Sequence, residues 1–147
     1  MNILPASLRD LGALRALEHA CFAQDAWSLF DLIAVLTFPE VVRLKAVEDG
    51  QMIGFVAGDP RPSEGLAWIA TIGVDPRYQR RGIGRALLQA CEEQLRPPRL
   101  RLTVRVSNQA AIELYKQEDY HTIDIWKKYY NGGEDAMVME KIVRNGS

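Results

Sequence analysis

The stretch of this 147-residue chain best equipped for chemistry is Val74-Asp75-Pro76-Arg77-Tyr78-Gln79-Arg80-Arg81-Gly82-Ile83-Gly84-Arg85-Ala86-Leu87. An apolar run ends, a polar turn with glycines follows, and an amphipathic helical pattern begins. The start of a helix exposes unpaired N–H groups at the positive end of its dipole, so it suits phosphate. Gly82 and Gly84 would let a pyrophosphate approach the backbone, and Arg77, Arg80, Arg81 and Arg85 would raise the local potential. Three phosphate-binding forms compete. A dinucleotide fingerprint needs Gly or Ala where Leu87 stands, and an acid about 20 residues on, which the 100–106 segment lacks. A P-loop needs Gly-Lys-Ser/Thr, but Gly84 is followed by Arg85. The third form, Gln/Arg-x-x-Gly-x-Gly/Ala, is met by Gln79-Arg80-Arg81-Gly82-Ile83-Gly84. A tight glycine turn with solvated arginines would read the same way. No Ser-His-Asp or Cys-His set is evident for covalent catalysis.

Periodicity supplies the elements that must hold this turn. Ser7 and Asp10 form a capping box ahead of Leu8, Leu11, Leu14 and Leu17, an apolar stripe on a first helix. Ser28 and Asp31 repeat the box before Leu32, Ile33 and Leu36. Strands are expected over 41–48 and 52–58, joined by the hairpin signal Asp49-Gly50, with Pro60 and Pro62 marking a loop. The 67–74 run is nearly all apolar, as for a strand covered on both faces. Ile83, Leu87, Leu88, Cys91 and Leu95 share a helical face, and Pro97-Pro98 ends that helix. Leu100, Leu102, Val104 and Val106 alternate with Arg101, Thr103 and Arg105, a strand with two distinct faces. Ser107 can cap a helix over 108–118. Strands near 120–127 and 135–142 follow, joined by a Gly132-Gly133 loop, and a short strand over 2–4 fits at the start. Three consecutive strands on short loops predict an antiparallel meander, and two strand–helix units a mixed α/β sheet.

Composition narrows the classes. Apolar residues make up 48% and charged residues 25% of the chain, the balance of a soluble globular protein and not of a disordered or fibrous one. With no repeat or linker, a single domain over 1–147 is expected. Eighteen Lys and Arg against 19 Asp and Glu give a net charge of -1, without the basic excess of a nucleic-acid binder. The longest apolar stretch, from Gly65 to Val74, is too short for a bilayer core, which needs about 20 residues. Met1 to Pro5 carries no basic or apolar signal region. Cys21 and Cys91 lie far apart in helical apolar patterns, which reads as inert core thiols and a reducing cytoplasm. Asn145-Gly146-Ser147 matches a glycosylation acceptor and is taken as chance.

The Gln79–Gly84 hexapeptide resembles the pyrophosphate loop of the GNAT superfamily of acyl-CoA-dependent N-acetyltransferases. Val104-Arg105-Val106-Ser107-Asn108-Gln109-Ala110-Ala111-Ile112-Glu113-Leu114-Tyr115 is similar to its Val-Arg-x-Ser-Asn-x-x-Ala-Ile-x-Leu-Tyr segment. Tyr129-Tyr130-Asn131-Gly132-Gly133-Glu134-Asp135-Ala136-Met137-Val138-Met139 resembles the ending of RimI-type members, which acetylate protein N-termini, including that of a ribosomal protein. Ala26-Trp27-Ser28 resembles their Pro-Trp-Ser. The resemblance implies a mixed, mostly antiparallel α/β sheet of six to seven strands flanked by about four helices. It implies acetyl-CoA as co-substrate and no metal. The 67–74 and 100–106 strands should splay, with pantetheine bonded to backbone near Ile72, Gly73 and Val74, and Asn108 on the pantetheine arm. Gln79, Arg80, Arg81, Gly82, Ile83, Gly84 and Arg85 would hold the pyrophosphate. The Val74 N–H would serve the developing oxyanion. Tyr115 would protonate the leaving thiolate, although its spacing alone favours a core aromatic beside Ala111 and Ile112. Trp27, Tyr129, Tyr130 and Glu134 would line the acceptor groove, built from loops such as 23–27 and 128–134.

Two departures from the family pattern stand out. Thr103 occupies the position where RimI-type members usually carry a glutamate base, and threonine takes no proton at neutral pH. Glu134, His19 or Tyr129, acting through water, are weak substitutes. Asp119 stands where a glycine usually ends the helix, so it must adopt left-handed geometry. Without a strong base, an α-amine acceptor is favoured, because roughly a third of it is neutral near about pH 7.5, against about 0.1% of a lysine amine. The expected activity is acetyl transfer to a protein N-terminus. The alternatives are a small amine such as a polyamine, amino acid or antibiotic, or a CoA-binding module with weak catalysis. No nucleic-acid or membrane partner is expected, and the chain would be a monomer or homodimer.

Overall fold

A computed structural model describes residues 1–22 and 27–143. Most of the predicted acceptor loop over 23–27 and the Asn145-Gly146-Ser147 triplet lie outside the described residues. The elements run β1 (Asn2–Pro5), α1 (Leu11–Cys21), α2 (Leu29–Thr37), β2 (Val42–Glu48), β3 (Gln51–Arg61), β4 (Leu66–Val74), α3 (Ile83–Leu95), β5 (Arg99–Arg105), α4 (Gln109–Gln117), β6 (His121–Trp126) and β7 (Ala136–Ile142). One seven-stranded sheet has the order β1-β2-β3-β4-β5-β7-β6. Every neighbouring pair is antiparallel except β4 with β5. The mixed α/β class, strand count and four helices are those expected.

Local chemistry explains most boundaries. Asp49 and Gly50 both take positive φ, 52° and 75°, as a two-residue hairpin between β2 and β3 demands. The Ser7–Asp10 capping box is present but starts a short 3-10 turn over Leu8–Asp10 that leads into α1. Ser28 accepts from the Asp31 N–H and starts α2. Asn108, not Ser107, caps α4, its side chain accepting from the Ala111 N–H. Asp119 has φ 71°, the left-handed conformation anticipated for it at the end of α4. Pro60 was expected in a loop but lies inside β3, opposite Ala67. Pairing with β2 stops at Gly58, so β3 has an open flank there and tolerates a missing N–H.

The sheet is covered on both faces. On one, α3 and α4 pack Ile83, Leu87, Leu88, Cys91, Ile112 and Tyr115 against Val56, Ile69, Leu102 and Val104. On the other, Leu14, Leu17, Leu32, Val35 and Leu36 of α1 and α2 cover Phe55 and Ala57. The close seat of α3 depends on Gly58: a Cβ there would lie 2.5 Å from Leu95 Cδ1 and 2.8 Å from Cys91 Sγ.

Two features shape the centre of the sheet. The β3–β4 register slips between Ala57 and Gly58, so that Ala57 faces Thr71 but Gly58 faces Ile69, leaving Ala70 as a bulged extra residue. Beyond the bulge β4 has no further partner on its β5 side. The parallel pairing covers only Ala67↔Leu100 and Trp68↔Arg101, whereas β5 pairs with β7 along its whole length. This splay also corrects the expectation that β4 is buried throughout, because its last four residues are only half-buried.

Gly58→Ala is expected to destabilise the fold by about 1–3 kcal/mol through overpacking against Leu95 and Cys91, measured by urea unfolding.

Candidate active site

The turn between β4 and α3 has the geometry of an anion cradle. Asp75 accepts from the Arg77 N–H and starts a 3-10 turn over Pro76–Tyr78. Arg80 and Gly82 then adopt left-handed φ, 64° and 78°, and α3 begins with Gly82 as its N-cap and no side-chain cap. The N–H groups at the start of α3 are therefore open to a ligand. A Cβ at Gly82 would meet nothing within 4 Å, so glycine is required there for conformation and the space outside it is free. Gly84 sits in ordinary contact distance of Leu114 and Val74.

The four arginines do not act alike. Arg77 pairs with Asp75 at 2.9 Å, and Arg81 grips Glu48 through two nitrogens at 2.9 and 3.2 Å. Arg85 holds Glu118 at 2.9 Å and bonds Gln117. Their charges are largely answered by carboxylates. Arg80, in the left-handed turn, has no ion pair among the described residues. Gln79 Nε2 donates to the Val74 carbonyl at 3.3 Å and braces the turn.

The splay exposes backbone. The Asp75 N–H donates to the Ile53 carbonyl at 2.8 Å, so Asp75 and Ile53 form a hydrogen-bonded antiparallel pair. Alternation along the ladder then turns Gly73 toward β3 and turns Ile72 and Val74 away from it, into the gap. Ile72 and the Val74 N–H are thus turned to the gap, while Gly73 has its backbone paired with β3. Its missing side chain instead admits Phe22 and Cys21, whose atoms would lie 3.1 and 3.2 Å from a Cβ. Cys21 donates its thiol proton to the Val74 carbonyl at 3.3 Å. Burial, helped by Glu18 and Asp75, pushes that thiol up to about 12, and burial does the same to Cys91. Both thiols are protonated and unreactive at neutral pH.

Tyr115 is buried between α4 and the sheet, its ring 5.9 Å from that of Tyr120. Burial, with a smaller contribution from Tyr130, raises its phenol well above the ordinary value. It keeps its proton across the physiological range and is a hydrogen-bond donor more than a ready acid. Asn108 is committed to its helix cap through Oδ1 at 3.2 Å.

On the opposite face of the sheet, Thr103 accepts a hydrogen bond from the Tyr130 hydroxyl at 3.2 Å. The Arg105 guanidinium lies 4.8 Å from the Tyr130 ring centroid, donates to Glu134 at 2.7 Å and to the Asn131 carbonyl at 3.1 Å. Glu134 also accepts from the Ser107 N–H at 2.9 Å. Ser107 and Arg105 together hold its carboxyl below the usual range. Both its oxygens are engaged, so it fastens the β6–β7 loop to β5 and is a poor proton acceptor. His19 is exposed on α1. Trp68, Trp126, Tyr129 and Tyr130 form a row of rings with successive centroids 5.9, 5.3 and 5.0 Å apart, which brings Tyr129 and Tyr130 beside Thr103. Trp27 does not join that row. It lines a pocket of about 360 Å³ with Asp31, Val35, Phe38, Asp59 and Ala70.

The sequence reading missed Glu18. This α1 carboxylate is 3% exposed, accepts from the Thr71 hydroxyl at 3.3 Å through Oε1, and has no partner for Oε2. Burial pushes its pKa up to about 7. The available signal was an acid falling four residues after Leu14, inside the apolar stripe.

Similarity to known proteins follows the same lines. The acetyltransferase (GNAT) family model matches residues 12–119. The [ribosomal protein bS18]-alanine N-acetyltransferase of Escherichia coli strain K12 is 36% identical over 104 residues, 67% of this chain and 69% of that protein. The crystal structure of the ribosomal-protein-S18-alanine N-acetyltransferase from Escherichia coli superposes with a TM-score of 0.85 at 29% identity, covering 99% of this chain and 97% of that one. Arabidopsis thaliana NAA60 in complex with acetyl-CoA shares the fold, with a TM-score of 0.83 at 22% identity over 97% of this chain and 98% of that one. Among the described residues no helix is long and apolar enough to cross a membrane, and no group of three or more His, Cys, Asp or Glu is placed to hold a metal.

A carboxyl raised from 4.5 to about 7 on folding binds more protons in the folded chain across that interval, so stability falls as pH rises through it. Glu18→Gln removes this loss. The variant is expected to gain stability over the wild type between pH 5 and 8, by on the order of a few kcal/mol at the upper end. Thermal melts of both across pH check it.

Proposed function

The chain belongs to the acetyltransferase (GNAT) family and is an N-acetyltransferase, and from this we propose that it acetylates the N-terminal α-amine of a protein, such as a ribosomal protein, at the expense of acetyl-CoA. The observation that carries the reading is the gap between β4 and β5: it presents the Ile72 and Val74 backbone at one end of an open anion cradle, with the Thr103–Tyr130 face beside it.

The residues fit acetyl-CoA, which supplies an acetyl thioester open to attack by a neutral amine. The N–H groups opening α3, with Arg80, would hold its pyrophosphate, while Arg77, Arg81 and Arg85 shape the turn through their carboxylate partners. Ile72 and Val74 would align the pantetheine as an added strand edge. The Val74 N–H is oriented to meet the oxygen on which charge develops, a contribution worth about 2.7–4 kcal/mol for one such donor in other enzymes. Tyr115, held protonated by burial, would donate a hydrogen bond to the sulfur on which charge develops. Asn108 would meet the pantetheine arm through its amide nitrogen, since its oxygen caps α4.

The acceptor argument rests on ionisation. Thr103 cannot take a proton, and Glu134 is tied to Arg105 and Ser107. An α-amine, roughly a third neutral near about pH 7.5, is a feasible substrate for such a site, and a lysine amine, about 0.1% neutral, is a poor one. Tyr129, Tyr130 and the aromatic row would flank the peptide, with Trp27 on the far side of the same sheet face. The two free cysteines fit a reducing cytoplasm, where ribosomal proteins and acetyl-CoA are at hand.

A pool of peptides that vary in their first residues and each carry an internal lysine, incubated with acetyl-CoA near neutral pH, is expected to gain acetyl on the α-amine only, as read by mass spectrometry. Acetylation of the lysines, or of small amines ahead of every peptide, would overturn the acceptor assignment. Tyr115→Phe is expected to lower kcat at least tenfold while leaving acetyl-CoA affinity within about twofold, measured by steady-state kinetics and calorimetry.

A further inference from the structure

Glu18 has a place in the fold that packing does not explain. It is the only charged side chain described as buried, and one of its oxygens, Oε2, is the only buried side-chain polar atom described without a partner. An unpartnered carboxylate oxygen is costly in an apolar setting, and a residue kept there at that cost points to a use. It lines a narrow void with Leu14, Leu17, Phe22, Phe55, Thr71 and Gly73. Gly73 lies between Ile72 and Val74, whose backbone faces the gap, so the carboxylate is one residue behind the reacting edge of β4.

We propose that Glu18 is the terminal proton acceptor for the incoming amine, reached through the Thr71 hydroxyl, and that this pair takes over the task that Thr103 cannot perform. The inference rests on the α-amine reading given above. Three observations support it. Thr71 pairs with Ala57, whose side chain belongs to the α1 and α2 face, so its hydroxyl is on the acceptor side of the sheet. It is half-buried, immediately precedes Ile72, and already donates to Glu18 Oε1 at 3.3 Å, which is the direction a relay requires. No lysine, arginine or histidine is described against Glu18 from α1, β3 or β4 to hold it ionised. The group that feels its charge is Cys21 on its own helix, and burial, opposed only in part by the Thr71 hydrogen bond, raises its carboxyl to about 7, matched to an α-amine.

The proton balance is complete without any further reactant. The acceptor enters as an ammonium. One of its protons moves to the Thr71 oxygen as the Thr71 proton moves to Glu18, leaving a neutral amine and a neutral carboxyl. The amine nitrogen bonds to the acetyl carbon as the carbon–sulfur bond breaks and its electron pair goes to sulfur. The second proton leaves the nitrogen and ends on that sulfur, and Glu18 returns its own to solvent as the products leave. Glu18 touches no substrate and is a positioning residue. Thr71 makes the contact.

The test is the pH dependence of kcat for peptide α-amine acetylation at saturating acetyl-CoA, in the wild type, Glu18→Gln, Thr71→Val and Thr71→Ser. The wild-type kcat should rise through about pH 7 to a plateau. E18Q and T71V should each lose at least tenfold at pH 7, recover much of it by pH 9, and keep the KM for acetyl-CoA within about twofold. T71S should restore most of what T71V loses. A rise that now follows the amine's own ionisation, nearer 8, is the signature of a missing acceptor. Wild-type profiles in E18Q and T71V would overturn the proposal. So would an equal loss at every pH together with a lowered melting temperature, which marks a structural role. If E18Q does not fold, T71V and T71S decide alone. A wild type that acetylates no peptide α-amine would instead sink the acceptor reading itself, before any variant is compared.

Discussion

Two neighbouring strands that start as a parallel pair and then part leave backbone hydrogen-bonding groups without a partner. Everything distinctive about this molecule is arranged around that deficit. β4 and β5 are joined at Ala67 and Trp68 only, and past the bulge at Ala70 the polar groups of Ile72 and the N–H of Val74 face a gap. In a sheet interior such groups would be a liability. Here they form an edge on which a ligand could pair as a strand does. The separation is maintained from both sides: β5 is held by β7 along its full length, and β4 is held by β3 and by the Cys21 and Gln79 bonds to the Val74 carbonyl.

The gap also sorts the two faces of the sheet by task. On the α3 and α4 face lie the glycine turn and Tyr115, the groups proposed above for the thioester and its phosphates. On the α1 and α2 face lie Thr103, Tyr130, the aromatic row and the Glu18–Thr71 pair, the groups proposed for the amine. On that proposal the reacting atoms would meet where the sheet is open, and neither set would have to cross a packed strand. Arg105 shows how tightly the second face is built. It stacks on Tyr130, pairs with Glu134 and bonds the Asn131 carbonyl, and thereby fixes a glycine-rich loop that would otherwise be free to move.

Charge placement follows the same economy. In the proposed anion site the field would come from helix N–H groups and from Arg80, which has no ion pair among the described residues, while three neighbouring arginines are neutralised by Asp75, Glu48 and Glu118. Net charge therefore says little about this site, and counting cations in the turn overstates its potential. Burial acts differently on Glu18: it raises the carboxyl to about 7, so that a group which would be fully ionised in water can take up a proton at neutral pH.

The features legible in the sequence are those set by neighbours along the chain. The hairpin at Asp49-Gly50, the left-handed positions at Gly82 and Asp119, the amphipathic α3 and the alternation of β5 follow from local sterics and side-chain period. The Ser-Asn…Tyr segment, met together with that turn, carried the family. Tertiary structure alone decided which groups are free to act. Glu134 and three arginines look available in sequence and are consumed by partners 29 to 33 residues away or by a turn of their own making. The missing side chain of Gly73 leaves room for Phe22 and Cys21, which no pattern in the sequence indicates. Glu18 looks like an ordinary helix acid and is buried against a threonine 53 residues on. Ionisation and hydrogen-bond commitment depend on what the fold brings within about 3 Å, and no local pattern encodes that.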